Sequence, residues 1–187
     1  NKISDPFYRC EETNLQWIEK EDWEYQLTFD IDSSLMMQPT IELVFEGLDT
    51  YCDVYLNGQV IHSCRNMFIG HRINCKDKLL AVNNHLLVKF KSPINEVYSK
   101  YLDNGFTYPA ENDKSEEKLS VYTRKAPYHY GWDWGPRFVT AGIWRDVYMQ
   151  GYTGARIQAV SYQLISLPFH KVFRYSNLTH LLKNHES

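Results

Sequence analysis

The sequence predicts an all-β protein, a β-sandwich with one short helix and one long aromatic loop. Three observations carry that reading. Apolar residues recur at every second position in several short segments, turn signals separate those segments, and helical periodicity is scarce. Aromatic residues make up 15% of the chain, with Tyr 14 and Trp 5, which suits pleated surfaces and sugar-facing surfaces better than helical bundles.

The first strand is residues 23–31, where Trp23, Tyr25, Leu27, Phe29 and Ile31 fall on one face and Glu24, Gln26, Thr28 and Asp30 on the other. Ile41, Leu43 and Phe45 continue the alternation. After Gly47, Cys52, Val54 and Leu56 face one way, and Asp53 and Tyr55 the other. Asn57-Gly58 then favours positive φ at both central turn positions, so Val54 to Leu56 should pair antiparallel with Gln59 to His62. Further strands are predicted at 68–73, at 86–91 with Leu86, Val88 and Phe90 inward, at 119–122 and at 143–148. Only 93–102, with Ile94, Val97, Tyr98 and Tyr101 at helical spacing behind Pro93, reads as a helix. Residues 103–118 are polar and read as a long excursion from the sandwich, with the run Asp113 to Lys118 a solvated face.

The 187 residues suffice for one sizeable domain, expected over 1–160, with a tail of unassigned structure at 161–187. The tail carries the sequon Asn177-Leu178-Thr179. The first residue is Asn1 rather than methionine, so the chain reads as a processed or truncated product. Twenty basic and 23 acidic residues give a net charge of -3 with no long run of one sign, so nucleic acid is not an expected partner. No apolar run reaches the roughly eighteen residues of a membrane span, and no membrane is expected as a partner either. Cys10, Cys52, Cys64 and Cys75 form no Cys-x-x-Cys pair and the seven histidines show no ligand spacing, so neither a metal nor any other cofactor is expected. Cys52 lies on the apolar side of its strand, where a plain buried thiol is the simplest reading.

The most informative stretch runs from Arg124 to Pro136, Arg-Lys-Ala-Pro-Tyr-His-Tyr-Gly-Trp-Asp-Trp-Gly-Pro. Two glycines and two prolines make it a loop. A pyranose presents an apolar C–H face that stacks on an indole and hydroxyl edges that donate to a carboxylate, so Trp132, Asp133 and Trp134 are the candidate substrate-binding residues. The alternative is that both tryptophans plug the end of a core, in which case a buried Asp133 needs a partner such as Arg124, Lys125 or Arg137.

Several segments carry a family resemblance. They are Asp5-Pro6-Phe7-Tyr8, Gln16-Trp17-Ile18-Glu19 with Asp22-Trp23-Glu24-Tyr25, Phe45-Glu46-Gly47-Leu48-Asp49-Thr50-Tyr51 with Val54-Tyr55-Leu56-Asn57-Gly58, and Arg124 to Pro136 with Gly142-Ile143-Trp144-Arg145-Asp146-Val147. In order and spacing the chain resembles the amino-terminal sugar-binding domain of glycoside hydrolase family 2, and within it the β-mannosidases. The hairpin segment is shared across that family, whereas Gly-Trp-Asp-Trp-Gly-Pro is more particular to β-mannosidases.

The resemblance implies a galactose-binding-like jelly-roll sandwich that sits beside a catalytic (β/α)8 barrel and lends a loop to its active site. It also implies that Trp132 and Asp133 line the non-reducing end of a mannose pocket, with Asp133 accepting from sugar hydroxyls. Family members of this type cleave terminal β-linked mannose with retention, which takes two carboxyl groups about 5 Å apart. In the family both belong to the barrel, and a barrel needs about 200 residues or more. No residue here is therefore assigned a catalytic role. Asn95-Glu96 has the look of the family's acid/base pair but lies beside Pro93 with no second carboxylate placed by a motif, and it is rejected. Trp144 and Arg145 open a strand and are assigned packing and an ion pair with Asp146 or a neighbouring loop. Beyond about Val160 the expected immunoglobulin-like second domain is not recognisable.

The functional expectation is a non-catalytic domain of a β-mannosidase-like glycoside hydrolase, inactive alone, that supports a barrel and completes its pocket, with a mannoside as its partner. The alternative is a free-standing carbohydrate-binding module for mannose or β-mannans. A third reading is a protein-interaction sandwich whose aromatic loop is a docking patch.

Overall fold

A computed structural model of the protein describes residues 3–157, 160–163 and 174–177. Its strands are β1 Trp23–Phe29, β2 Thr40–Phe45, β3 Leu48–Asp49, β4 Tyr51–Leu56, β5 Gln59–Arg65, β6 His71–Asn74, β7 Asn84–Phe90, β8 Gly142–Ile143, β9 Val147–Tyr152, β10 Val160–Gln163 and β11 Arg174–Asn177. One sheet has the order β1-β7-β4-β5 and the other β6-β2-β9, with every pairing in both antiparallel. Two short ladders, β3-β8 and β10-β11, complete the described strands. The backbone of 174–177, in the stretch left unassigned as a tail, pairs antiparallel with 160–163, and the rest of 164–187, including Leu178 and Thr179 of the sequon, lies outside the described residues.

The alternation in the sequence builds the core directly. Ile41, Leu43 and Phe45 from one sheet meet Cys52, Val54, Leu56, Leu86, Val88 and Phe90 from the other in a single buried cluster. The Asn57-Gly58 turn forms with φ of 52° and 80°, pairing Leu56 with Gln59. The expected register holds with one extra residue on β5: Tyr55 opposes Val60 while Val54 opposes His62, a bulge at Ile61.

Four sequence expectations need correction. The face of β1 is half covered only at its ends, because it is an edge strand: Tyr25 and Leu27 are 45% and 57% exposed. The strand expected at 68–73 begins only at His71, after a turn that leaves Phe68 and Ile69 exposed. Residues 119–122 form a 3-10 turn whose Ser120 amide is held by the Asp113 carboxylate. The strand at 143–148 is two strands, broken where the Trp144 amide donates to Gly47 O and the Glu46 amide to Asp146 O.

The predicted helix runs Pro93–Asn104. The Ser92 hydroxyl accepts from the Asn95 amide at its start, and Gly105, at φ 61°, closes its end. The helix buries Ile94 and Val97 against Tyr51, Leu119, Tyr130 and Val139, a second core that sits beneath the aromatic loop. Asn95 and Glu96 serve the surface there: the Asn95 amide group donates to Lys20 O, and Glu96 lies 3.6 Å from Lys91.

Candidate functional site

The segment between Lys125 and Arg137 leaves the sandwich at two buried cations. Lys125 is fully buried, and its ammonium donates to the Asp49 carboxylate and, at 2.7 Å, to the carbonyl of Thr140. Burial pushes the Lys125 pKa down, and the negative charge of Asp49 works against that shift. β3 supplies Asp49, so the start of the loop is tied to the middle of the sandwich.

At the other end Arg137 grips Glu19 in a two-pronged pair, Nε and Nη2 each 3.1 Å from a carboxylate oxygen. Its Nη1 donates to Asp113 Oδ1 at 2.8 Å and to the Tyr130 carbonyl at 3.3 Å. Burial favours the neutral forms of both Asp113 and Arg137. Hydrogen bonds from Ser115 and Ser120 outweigh it for Asp113 and hold its pKa below the ordinary value, while Glu19 and Asp113 raise that of Arg137. Asp113 is therefore no part of a solvated face: it is 0% exposed, and it converts the polar excursion into a brace for the loop.

Between these anchors the chain makes a 3-10 turn over Pro127–Tyr130 and reverses at Gly131, at φ 114°, where a side chain would collide with Lys114. Backbone bonds from Phe138 to His129 at 2.9 Å and from Trp132 to Gly135 at 3.3 Å close the loop on itself. Tyr130 plugs the core beneath it, 0% exposed. The tip points outward, with Trp134 85% exposed and Trp132 39% exposed.

The structure brings Trp132 and Trp134 together on one groove of about 620 Å³, walled also by Phe7, Tyr128, His129 and Phe138. Asp133 is exposed at the tip and does not line that groove; its carboxylate accepts from the Trp134 amide at 3.1 Å. Neither tryptophan plugs a core, and Lys125 and Arg137 are committed elsewhere. Trp144 packs over Gly47 and its indole donates to Met67 O at 3.1 Å, as its packing role requires. Among the described residues Arg145 forms an ion pair neither with Asp146 nor with a neighbouring loop; its guanidinium instead stacks 4.2 Å from the Trp144 ring centroid.

Sequence reasoning missed Phe7, Phe138 and the anchor carboxylates Glu19, Asp49 and Asp113. Phe7, Glu19 and Asp49 fall within the segments that carry the family resemblance, whereas no motif marked Phe138 or Asp113. No three His, Cys, Asp or Glu side chains of the described residues converge to hold a metal ion. The cysteines are free thiols, with Cys52, Cys64 and Cys75 buried and Cys10 exposed.

Residues 1–145 match the family model described as glycosyl hydrolase 2 galactose-binding domain-like. The chain belongs to glycoside hydrolase family 2. The matching part is its galactose-binding-like domain, the amino-terminal domain of β-mannosidase-like enzymes. The chain is 36% identical over 157 residues to beta-mannosidase B of Aspergillus terreus, covering 82% of this chain and 18% of that relative. It is 32% identical over 165 residues to beta-mannosidase of Mus musculus, covering 86% of this chain and 18% of that one. The crystal structure of beta-D-mannosidase from Dictyoglomus thermophilum shares the fold with a TM-score of 0.78 at 38% identity, over 88% of this chain and 20% of that one. The chain thus spans about a fifth of the length of the curated relatives it matches.

Proposed function

We propose that this chain is the non-catalytic sandwich of a β-mannosidase-like glycoside hydrolase, with its domain body at 1–160, and that it presents the Trp132–Trp134 loop as one wall of a mannoside pocket completed by the rest of the parent enzyme. The observation that carries the reading is an exposed aromatic groove on a loop pinned at both ends by buried ion pairs. A pre-positioned loop on a rigid sandwich is what a shared pocket needs. Its rings supply the C–H-stacking half of sugar recognition, and Asp133, exposed at the tip, is free to turn its remaining lone pairs toward hydroxyls.

The nearby carboxylates favour a supporting role over catalysis. Glu19, Asp49 and Asp113 are each engaged by a buried cation, whereas retaining hydrolysis takes two carboxyl groups poised about 5 Å apart across a substrate. The chain incubated with a chromogenic β-mannoside is expected to release no chromophore above buffer; an enzyme-dependent rate overturns this reading.

The high exposure of Trp134 favours a second reading, a free-standing carbohydrate-binding module. Titration with manno-oligosaccharides separates the two. Millimolar or tighter affinity that disappears in Trp132→Ala supports a module, and binding seen only when the remainder of the parent is present supports the shared pocket.

A further inference from the structure

Two of the buried thiols are directly opposed: Cys52 on β4 pairs with Cys64 on β5, each 2% exposed. Opposed residues hold their Cβ atoms about 4.5–5.5 Å apart, against about 3.5–4.5 Å across a disulfide, so a bond between them takes only a small approach of the two strands. Cys64 Sγ lies 3.1 Å from His71 Nε2, and His71 Nδ1 lies 2.8 Å from His62 Nε2. His71 is buried and His62 only half-buried, so the row runs from the sulfur toward solvent. A proton that leaves Cys64 for His71 Nε2 is matched by the His71 Nδ1 proton passing to His62.

The two thiols are made different by their surroundings. A hydrogen bond from Cys52 and then, against the opposing effect of burial, hydrogen bonds from His71 and the Asn66 amide hold the Cys64 pKa below the ordinary thiol value. The same bond to Cys64, together with burial, pushes Cys52 up. One sulfur is thus the nucleophile and its partner keeps a proton in reserve. Asp53 and Arg65, the charged neighbours on these strands, alternate to the opposite face. Access is from the edges: β5 ends one sheet, and β6, which carries His71, ends the other. Edge strands open locally more readily than central ones, and hydrogen peroxide is little larger than water.

We propose that Cys52 and Cys64 form a reversible redox pair, which hydrogen peroxide converts to a disulfide joining β4 to the edge strand β5, with His71 and His62 as the proton path. The Cys64 thiolate attacks one peroxide oxygen, the O–O bond breaks, and the departing hydroxide takes the proton stored on the histidine row, giving a sulfenic acid and one water. The negative charge that kept Cys52 protonated is then gone. Cys52 attacks Cys64 Sγ, the S–O bond breaks, and the leaving hydroxide takes the Cys52 proton as a second water. The two sulfurs together give up two electrons, and the peroxide receives both. This chemistry is independent of the proposed role of the aromatic loop.

The test treats the full chain with hydrogen peroxide, caps the remaining thiols with N-ethylmaleimide in denaturant, and reads the digest by mass spectrometry. A peptide cross-linked between Cys52 and Cys64 is expected to form before the exposed Cys10 is oxidised, and to disappear on treatment with dithiothreitol. Cys52→Ser should stop the reaction at a Cys64 sulfenic acid that dimedone traps. His71→Gln and His62→Gln should each slow cross-linking by about tenfold or more, and the remaining rate should rise more steeply with pH than in the native chain. The native-chain result stands even where the buried His71 substitution fails to fold, and the half-buried His62 supplies the second variant. Oxidation of Cys10 while Cys52 and Cys64 stay reduced, or no dimedone adduct at Cys64 in Cys52→Ser, overturns the redox pair. Cross-linking at the native rate in both histidine variants overturns the proton path.

Discussion

Lys125 shows how one residue can decide the geometry of a site it never enters. Its ammonium is fully buried, so its stability rests on Asp49 and the Thr140 carbonyl. Removing one partner of such a pair leaves an uncompensated charge in the interior. Lys125→Ala should therefore destabilise the fold by about 3–5 kcal/mol, read as a lowered urea midpoint. Replacing both partners with neutral residues, Lys125→Met with Asp49→Asn, should recover part of that loss, because no charge is then left bare. A single substitution that costs less than about 1 kcal/mol would mean that water reaches Asp49 and that the anchor is not a dry pair.

At the scale of elements, the helix Pro93–Asn104 is coupled to the loop through one hydroxyl. Ser92 Oγ accepts from the Asn95 amide and donates to the carbonyl of Glu19 at 2.5 Å, and the Glu19 side chain in turn holds Arg137. A lost cap costs about 1 kcal/mol, and leaving a buried carbonyl unpaired adds about 1–3 kcal/mol. Ser92→Ala is thus expected to lower stability by more than a cap alone and to loosen the loop. Hydrogen exchange is the check: the Phe138 amide, which closes the loop by donating to His129 O, should lose protection in the variant. Unchanged protection there, with only the first helical turn affected, would show that helix and loop are independent. β3 plays the corresponding part on the other side, since its two residues carry Asp49 to the start of the loop while pairing with β8.

For the whole molecule, the two cores and the loop are joined by charges that work only when ionised, which gives stability a definite acid limit. The folded-state pKa of Asp113 lies below its ordinary value, so the unfolded chain binds the proton more readily. The Asp113 contribution is complete above the unfolded carboxyl pKa of about 3.9 and is lost as pH falls through the lower folded value. Asp113→Asn lacks that contribution at every pH. It should be less stable than the native chain at neutral pH by about 1–3 kcal/mol, with the two thermal midpoints converging as pH drops below about 4. A gap that stays constant down to the acid limit would remove Asp113 from the pH dependence. The molecule also leaves a broad apolar surface open around the loop, with Phe7, Tyr128 and Trp134 at 76%, 60% and 85% exposed, which the proposed shared pocket would cover.

Much of this was legible in the amino-acid order. The period-two pattern named the inward residues of β2, β4 and β7, and Asn57-Gly58 named its turn, because side-chain alternation and turn geometry are set by residues a few positions apart. The same local character made Arg124 to Pro136 readable as an aromatic loop and as a family signature. Neighbours in sequence could not say which ends of that loop are tethered, or to what. Lys125 meets Asp49 across 76 positions and Arg137 meets Glu19 across 118, and Asp113 changes from an apparent surface charge to a buried brace. Strand identity follows from local periodicity; the choice of partner for a buried charge follows from which segments the closed sandwich brings together, and only the tertiary structure holds that information.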